Sequence, residues 1–571
     1  MPPPPRIGEA GLAASNSNPS LRPSTHGTGI SAPQSIDPLL PETANTSTSY
    51  IPVVQDEEDE LPDEENTPQY LRGTPLYTLV VGLTMAAFLL MIDSTVLVTA
   101  IPTITSAFNS LDDVGWYGST YLLATCALQL LLGKVYQFYN SKVCEHMKSS
   151  VVVHSSGIAQ SSIVFIFGRA VSGAGGAGIL NGGFTIIAAA APLEARPKII
   201  GIMLGVASTG VAIGPLIGGA ITQRVSWRWC FYINLPLGAV TVIALAIIRI
   251  PDAKIQGTAR VSTFMQHIGR LDLPGSTLFA GLIVMLLMAI DWGGVTYPWN
   301  SPIIIGLFAG SAAAFCVFLF WERLQGDSAM LPLSLFRNSK ISYAAASSIM
   351  SYGGLYIIII YLPLWFQAVK GVSPLKGGVY YLPSVVTTTS GTVVSGILVS
   401  MIGYYTPFMI AGGAMAAVAA GLLSTLNPNS PTAAWVCYQL LNGVARGMMS
   451  QQPVTAIQAN VPKEQLSVAT AFVVFAQNFG ASVFISLGQT TFENSLEPAL
   501  AKYAPEVDAV KVIEAGATEF RSIVPKESVA GVINAFSHAL TTTFYLSVGS
   551  SAAVFILAWG MGWTSVKKKK A

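Results

Sequence analysis

Charge is what this sequence has least of. A tenth of its 571 residues are Asp, Glu, Lys or Arg, while 51% are hydrophobic. Soluble domains carry about a quarter charged residues, so this balance excludes an ordinary water-soluble enzyme. Cysteine is also scarce: Cys126, Cys144, Cys230, Cys316 and Cys437 lie far apart, which excludes a disulfide framework and a thiolate metal site. The five histidines (His26, His146, His154, His267, His538) form no ligand pair. With no paired carboxylates either, the expectation is no catalytic residue, no metal and no cofactor. No Gly-x-x-x-x-Gly-Lys-Ser/Thr sequence occurs, which removes an ATP-driven pump. No nucleic-acid partner is expected.

What the chain does have is blocks. Runs of about 20 apolar residues recur from Pro75 to Trp563, the length needed to cross a bilayer as a helix. The fold class expected is therefore an all-α polytopic membrane protein with fourteen spans. Residues 1–73 read as a disordered acidic cytosolic tail: residues 1–72 hold 12 of the 34 prolines and a net charge of −8, against +9 for the remainder. The opening Met1-Pro-Pro-Pro-Pro5 has no apolar core of a cleavable signal. Residues 74–250 read as an N-terminal six-helix half, 251–340 as a connector with two inserted helices, and 341–565 as a C-terminal six-helix half. The last half carries a long outer loop over 493–541, and 566–571 form a basic cytosolic tail.

The third span is atypical. Residues 143–160 carry Glu145, His146, Lys148 and His154, and the longest apolar run there is Val151 to Val153. Either a strained helix begins near Ser141 with its charges at the cytosolic surface, or the stretch is the product of a mis-joined coding segment. The second reading is favoured, and it leaves an inactive or receptor-like membrane protein as an alternative.

Polar groups inside the apolar runs are the candidate functional residues. A carboxylate within the bilayer costs about 3 kcal/mol on insertion scales, so Asp93 in the first span should face the protein interior. Arg169, just inside the fourth span, and Arg446, in the twelfth, are as costly and need partners. Gln451, Gln477 and Asn478 should face the same interior, as should Tyr352 and Tyr356, one helical turn apart in mid-span. In the fifth span Gly210, Gly214 and Gly218 recur every four residues, a bare stripe that lets another helix approach closely, and Pro215 should bend that helix.

Gly205-Val-Ala-Ser-Thr-Gly210-Val-Ala-Ile-Gly214-Pro215-Leu-Ile-Gly218-Gly219 resembles the antiporter motif of the major facilitator superfamily. Ser226-Trp-Arg-Trp-Cys-Phe-Tyr-Ile-Asn-Leu-Pro236 is similar to its fourteen-helix drug:proton antiporter branch, especially the fungal toxin and secondary-metabolite exporters. Ile92 to Pro102 resembles the first-helix motif of that branch, and Asn442 to Pro453 its twelfth helix. The resemblance implies that Arg169, in Gly168-Arg169-Ala170, takes part in proton coupling, where it or its local network senses the protonation of Asp93.

A shift of 270 residues aligns spans four and five with twelve and thirteen: Gly173/Gly443, Thr185/Thr455, Gly210/Gly480 and Gly218/Gly488 coincide among others. Two parallel halves with a site at their interface describe a rocking carrier. Inner loops and tails would hold 20 basic residues and outer loops 8, which places both ends in the cytosol. The function expected is proton-coupled efflux of a hydrophobic small molecule (a secondary metabolite, toxin or drug) by a monomer in lipid. The plasma membrane is the expected location and the vacuolar membrane the alternative. Uptake of an iron-chelate is the runner-up.

Overall fold

The computed structural model describes residues 70–108, 110, 113–138, 156–247, 271–294 and 296–567. Most of the acidic tail and residues 143–155 of the atypical third stretch lie outside the described residues. The described chain is helical almost throughout. Among the described residues, nine helices are long and apolar enough to cross a membrane.

In the N-terminal bundle α1 spans Thr74–Phe108, α2 Val114–Phe138, α3 Ser162–Ala190, α4 Arg196–Arg224 and α5 Asn234–Ile247. A hairpin follows, with α6 over Leu273–Trp292 and α7 over Pro302–Gln325. The C-terminal bundle holds α8 (Ser339–Lys370), α9 (Pro374–Ile402), α10 (Thr406–Ser424), α11 (Thr432–Met449), α12 (Gln452–Asn460), α13 (Leu466–Tyr503), α14 (Ala509–Ile523) and α15 (Val529–Ala558). Within the bundles α1 packs on α4 and α2 on α3, while α8 packs on α13 and α15, and α9 on α11.

Local chemistry explains the breaks. Pro453 has no N–H for the carbonyl of Met449, so the twelfth expected span divides into α11 and α12. The Gln452 side chain donates to the Met448 carbonyl at 2.8 Å and satisfies an acceptor beside the break. Pro215, in contrast, lies inside α4, which is helical from Arg196 to Arg224 without interruption.

One expectation is corrected. The polar stretch 493–541 is not a loop: α13 runs on to Tyr503, α14 forms a helix of its own, and α15 begins at Val529. Its composition is polar because its helices are amphipathic. Leu496, Ala499 and Leu500 are buried on one face while Glu497 and Pro498 stay exposed. Val512 and Phe520 anchor α14 against the C-terminal bundle.

The cores are unevenly shared between the bundles. At the end where α1 begins, called proximal here, one cluster joins Leu79, Leu83, Ile187 and Met203 to Met449, Val454, Val468 and Ala469. At the distal end each bundle has its own. Ile92, Val96, Phe165, Trp227 and Phe231 belong to the first, and Tyr361, Trp365, Phe366, Phe520 and Phe536 to the second. Hydrogen bonds follow suit. Ser467 donates to the Gly133 carbonyl at 2.9 Å, Gln137 to that of Glu464 at 2.8 Å and Gln458 to that of Phe184 at 3.4 Å. Thr185 meets Ser467 at 3.5 Å, and Ser208 meets Thr389 at 2.9 Å. These bonds lie in the proximal half, where the bundles are closed against each other.

The α6–α7 hairpin is tied down at its proximal end. Asp272 caps α6 from a left-handed backbone (φ 48°), with Oδ1 accepting from the Gly275 amide at 3.1 Å and Trp321 Nε1 at 2.7 Å. Its Oδ2 accepts from the Met330 amide at 2.8 Å. Lys134 Nζ at the end of α2 donates to the Ser328 carbonyl at 2.9 Å, and buried Glu322 accepts from the Leu331 amide at 2.9 Å.

Candidate proton-coupling site and substrate cavity

Asp93 sits on the buried face of α1, 6% exposed, between apolar Ile92 and Val96 of the distal core. An isolated carboxylate there would have to be neutral or paired. It is paired. Arg169 on α3, 1% exposed, donates from Nη1 to Asp93 Oδ2 at 3.0 Å. Further contacts surround the pair and help to offset its desolvation. Arg169 Nε donates to the Tyr117 carbonyl at 3.2 Å, and its guanidinium lies 4.6 Å from the centre of the Tyr121 ring. Asn234 Nδ2 donates to Asp93 Oδ1 at 3.4 Å. The Tyr117 hydroxyl bonds Ser110 at 2.6 Å and Ser162 at 2.9 Å, and Ser162 in turn donates to Asp113.

The ion pair thus joins α1 to α3, and a glycine seam joins α1 to α4 one turn away. A Cβ at Gly214 would overlap the Thr95 hydroxyl, and one at Gly210 would come within 3.0 Å of the Phe88 carbonyl. Thr95 Oγ1 donates to the Met91 carbonyl at 2.8 Å and reaches the Gly210 carbonyl at 3.4 Å. Gly205 faces the other way: a Cβ there would lie 2.7 Å from Val393 of α9, so it serves the contact between bundles. The Gly218 carbonyl accepts from the Cys230 thiol at 3.8 Å. A Cβ at Gly219 would meet nothing within 4 Å. The motif is therefore two seams on two faces, and Gly219 belongs to neither.

The polar residues expected in the cavity separate. Tyr356, half-buried on α8, is an electrostatic neighbour of Tyr121 and Cys126 in the other bundle, and Tyr352 lies one turn before it. Arg446 is 2% exposed among α8, α11 and α15. Gln451 is fully buried in the closed proximal half, with Nε2 3.4 Å from the Thr392 carbonyl. Gln477 is buried on α13, and Asn478 donates to the Val474 carbonyl of its own helix at 3.2 Å. Tyr117, Tyr121 and Asn181 escaped the sequence reading. Asn181 is fully buried with neither amide atom hydrogen-bonded, and it is the repeat counterpart of Gln451 at the 270-residue shift. Asn234 was visible inside the motif 226–236 without a role.

The two bundles repeat these contacts. Gly173 abuts the Tyr121 carbonyl as Gly443 abuts that of Ser384, and Gly210 abuts the Phe88 carbonyl as Gly480 abuts that of Ile349. Gln439, the counterpart of Arg169, donates to the Tyr380 carbonyl at 3.0 Å.

Known proteins bear on this arrangement. Residues 83–485 match the family model described as Major Facilitator Superfamily. The chain belongs to that superfamily. It is 42% identical over 528 residues to the efflux pump mlcE of Penicillium citrinum, covering 90% of this chain and 95% of the relative. It is 43% identical over 512 residues to the MFS-type transporter pigP of Monascus ruber, covering 88% of each. Among solved structures, the proton:xylose symporter XylE bound to 6-bromo-6-deoxy-D-glucose superposes with a TM-score of 0.57 at 15% identity. That match covers 86% of this chain and 97% of the other, and it shows the fold: two helical bundles of a major facilitator. The chain is a multi-pass membrane transporter of a small molecule and not an enzyme.

Proposed function

We propose that this transporter couples proton influx to the efflux of a hydrophobic small molecule, a secondary metabolite, toxin or drug, by alternating access. The observation that carries the reading is the Asp93–Arg169 pair at 3.0 Å, buried inside the N-terminal bundle. Opposite charge holds a carboxylate ionised, so a proton arriving at Asp93 must break the pair and free Arg169. Because the same residues join α1 to α3, protonation changes how the N-terminal bundle packs. The antiporter seam Gly205, Gly210, Gly214, Pro215 and Gly218 is proposed to let α4 pivot between α1 and α9. Tyr352, Tyr356, Arg446, Gln477 and Asn478 are proposed to line the pathway, with Gln451 in its proximal gate.

The layout proposed is fourteen spans in two six-helix halves with the α6–α7 hairpin inserted between them. The third span falls in residues outside the described ones. The basic-residue count supports a cytosolic proximal end, so the closed end faces the cytosol and the substrate path opens outward. The names of relatives such as the efflux pump mlcE support export over uptake of an iron-chelate. A monomer in the plasma membrane completes the reading, with the vacuolar membrane as the alternative.

Inside-out vesicles with an acidified lumen test it. A neutral lipophilic dye should accumulate in the lumen, collapse of the pH gradient should release it, and Asp93→Asn should lower accumulation at least ten-fold. Accumulation that survives both would sink the reading.

A further inference from the structure

Arg446 is a guanidinium buried as deeply as that of Arg169, and its surroundings lack what Arg169 has. It is the fifteenth residue of α11, about 21 Å along the helix from its distal end and well inside a hydrocarbon core of about 30 Å. Nη1 donates to the Ser351 carbonyl at 3.1 Å, and Nη2 to the hydroxyls of Ser547 at 2.7 Å and Ser551 at 3.1 Å. All three acceptors are neutral. Nε is buried and has no hydrogen-bond partner. Among the described residues the ion pairs are Arg169–Asp93 and the exposed Lys511–Asp508, so no carboxylate of the described chain neutralises Arg446.

The internal repeat places a glycine where the N-terminal bundle has its carboxylate. Gly210 abuts Phe88 as Gly480 abuts Ile349, an offset of 261 residues between α1 and α8. The same offset carries Asp93 onto Gly354. A Cβ at Gly354 would lie 3.0 Å from Arg446 Nη2 and 3.2 Å from Nη1. The C-terminal bundle therefore has glycine at the counterpart of the carboxylate, beside an arginine of its own, since Arg446 stands at the counterpart of Gly176. Buried charges are paired in proteins, and a guanidinium fork matches a carboxylate better than any other common group. Around it stand small hydroxyls: Ser547 and Ser551 bond it, and Ser550 lies beside Gly354.

From this we infer that Arg446 is an anion subsite, receiving the carboxylate of an acidic, otherwise hydrophobic small molecule. The inference rests on the transport reading above and narrows its substrate class. The purified full chain in lipid nanodiscs tests it, with octanoate and octanamide as probes and thermal unfolding and titration as readouts. Octanoate should raise Tm and bind at least ten-fold tighter than octanamide. Arg446→Gln should remove that preference and Arg446→Lys should keep part of it. Where Arg446→Gln does not fold, Gly354→Asp with Ser550→Ala decides. It supplies the carboxylate from within, and Ser550→Ala removes the hydroxyl that a Cβ at Gly354 would strike. That variant should unfold no lower than the parent and bind octanoate at least ten-fold more weakly. Equal binding of acid and amide, no octanoate binding, or undiminished binding by Gly354→Asp/Ser550→Ala would each overturn the inference and mark Arg446 as helix-packing glue. Asp93→Asn separates the two readings: it should lose proton-driven export and keep the octanoate preference. Export that persists in Asp93→Asn overturns the coupling alone, and a parent that exports but has no octanoate preference overturns the subsite alone.

Discussion

At the scale of single residues, Gly214 and Gly219 divide a motif that looks uniform in the sequence. A Cβ at Gly214 would strike the Thr95 side chain, whose hydroxyl is already committed to the Met91 carbonyl, whereas one at Gly219 would meet nothing. Overpacking of this kind costs about 1–3 kcal/mol. Gly214→Ala should therefore lower the thermal midpoint of the purified protein, while Gly219→Ala should leave it within a degree or raise it. Equal effects at the two positions would show that the seam does not lie on the Gly214 side. Asp93 and Arg169 were legible because lipid makes an ionised group in an apolar run conspicuous. Their companions were not. Tyr117 contributes a backbone carbonyl, which no sequence displays, and Tyr121 contributes a ring face that looks like any core aromatic. Arg446 was legible as a charge in need of a partner. That its bonds run to neutral acceptors appears only in three dimensions.

At the scale of elements, hydropathy found the long apolar helices and misread the amphipathic ones. The stretch 493–541 has the composition of a loop, yet it extends α13, builds α14 and begins α15, because apolar residues at helical spacing need only one buried face. Proline alone did not foretell the helix breaks: the span divides at Pro453, while Pro215, Pro363 and Pro383 lie inside unbroken helices. One side chain gathers most of the bonds at the base of the α6–α7 hairpin. Asp272 accepts three hydrogen bonds, from Gly275, Trp321 and Met330, in a left-handed backbone that aspartate tolerates. Asp272→Ala should cost about 3 kcal/mol, since hydrogen bonds to a buried carboxylate contribute about 1.5–3 kcal/mol each and part is recovered on relaxation. Asp272→Asn, which keeps one acceptor oxygen, should cost less than half as much by chemical denaturation. A larger loss from asparagine than from alanine would contradict the assignment.

For the whole molecule, the internal repeat was visible as coincident glycines and proved to be a repeat of contacts. The conformational state was not legible, because every gate contact joins residues far apart in sequence. Gln137 reaches Glu464, Thr185 reaches Ser467 and Ser208 reaches Thr389, all in the proximal half, while the distal cores stay separate. If this closed gate is one of two states, Ser467→Ala should loosen it through loss of the bond to Gly133 and raise proximal labelling several-fold. The central claim is that protonation of Asp93 moves the gate. It is tested most directly by the rate of disulfide formation between Thr185→Cys and Ser467→Cys, in a background without native cysteines and at one fixed pH. With Asp93→Asn, which stands in for the protonated residue, the cross-link should form several-fold more slowly than in the parent, because loss of the Asp93–Arg169 pair releases the closed state. An equal rate in the parent and in Asp93→Asn would contradict the account.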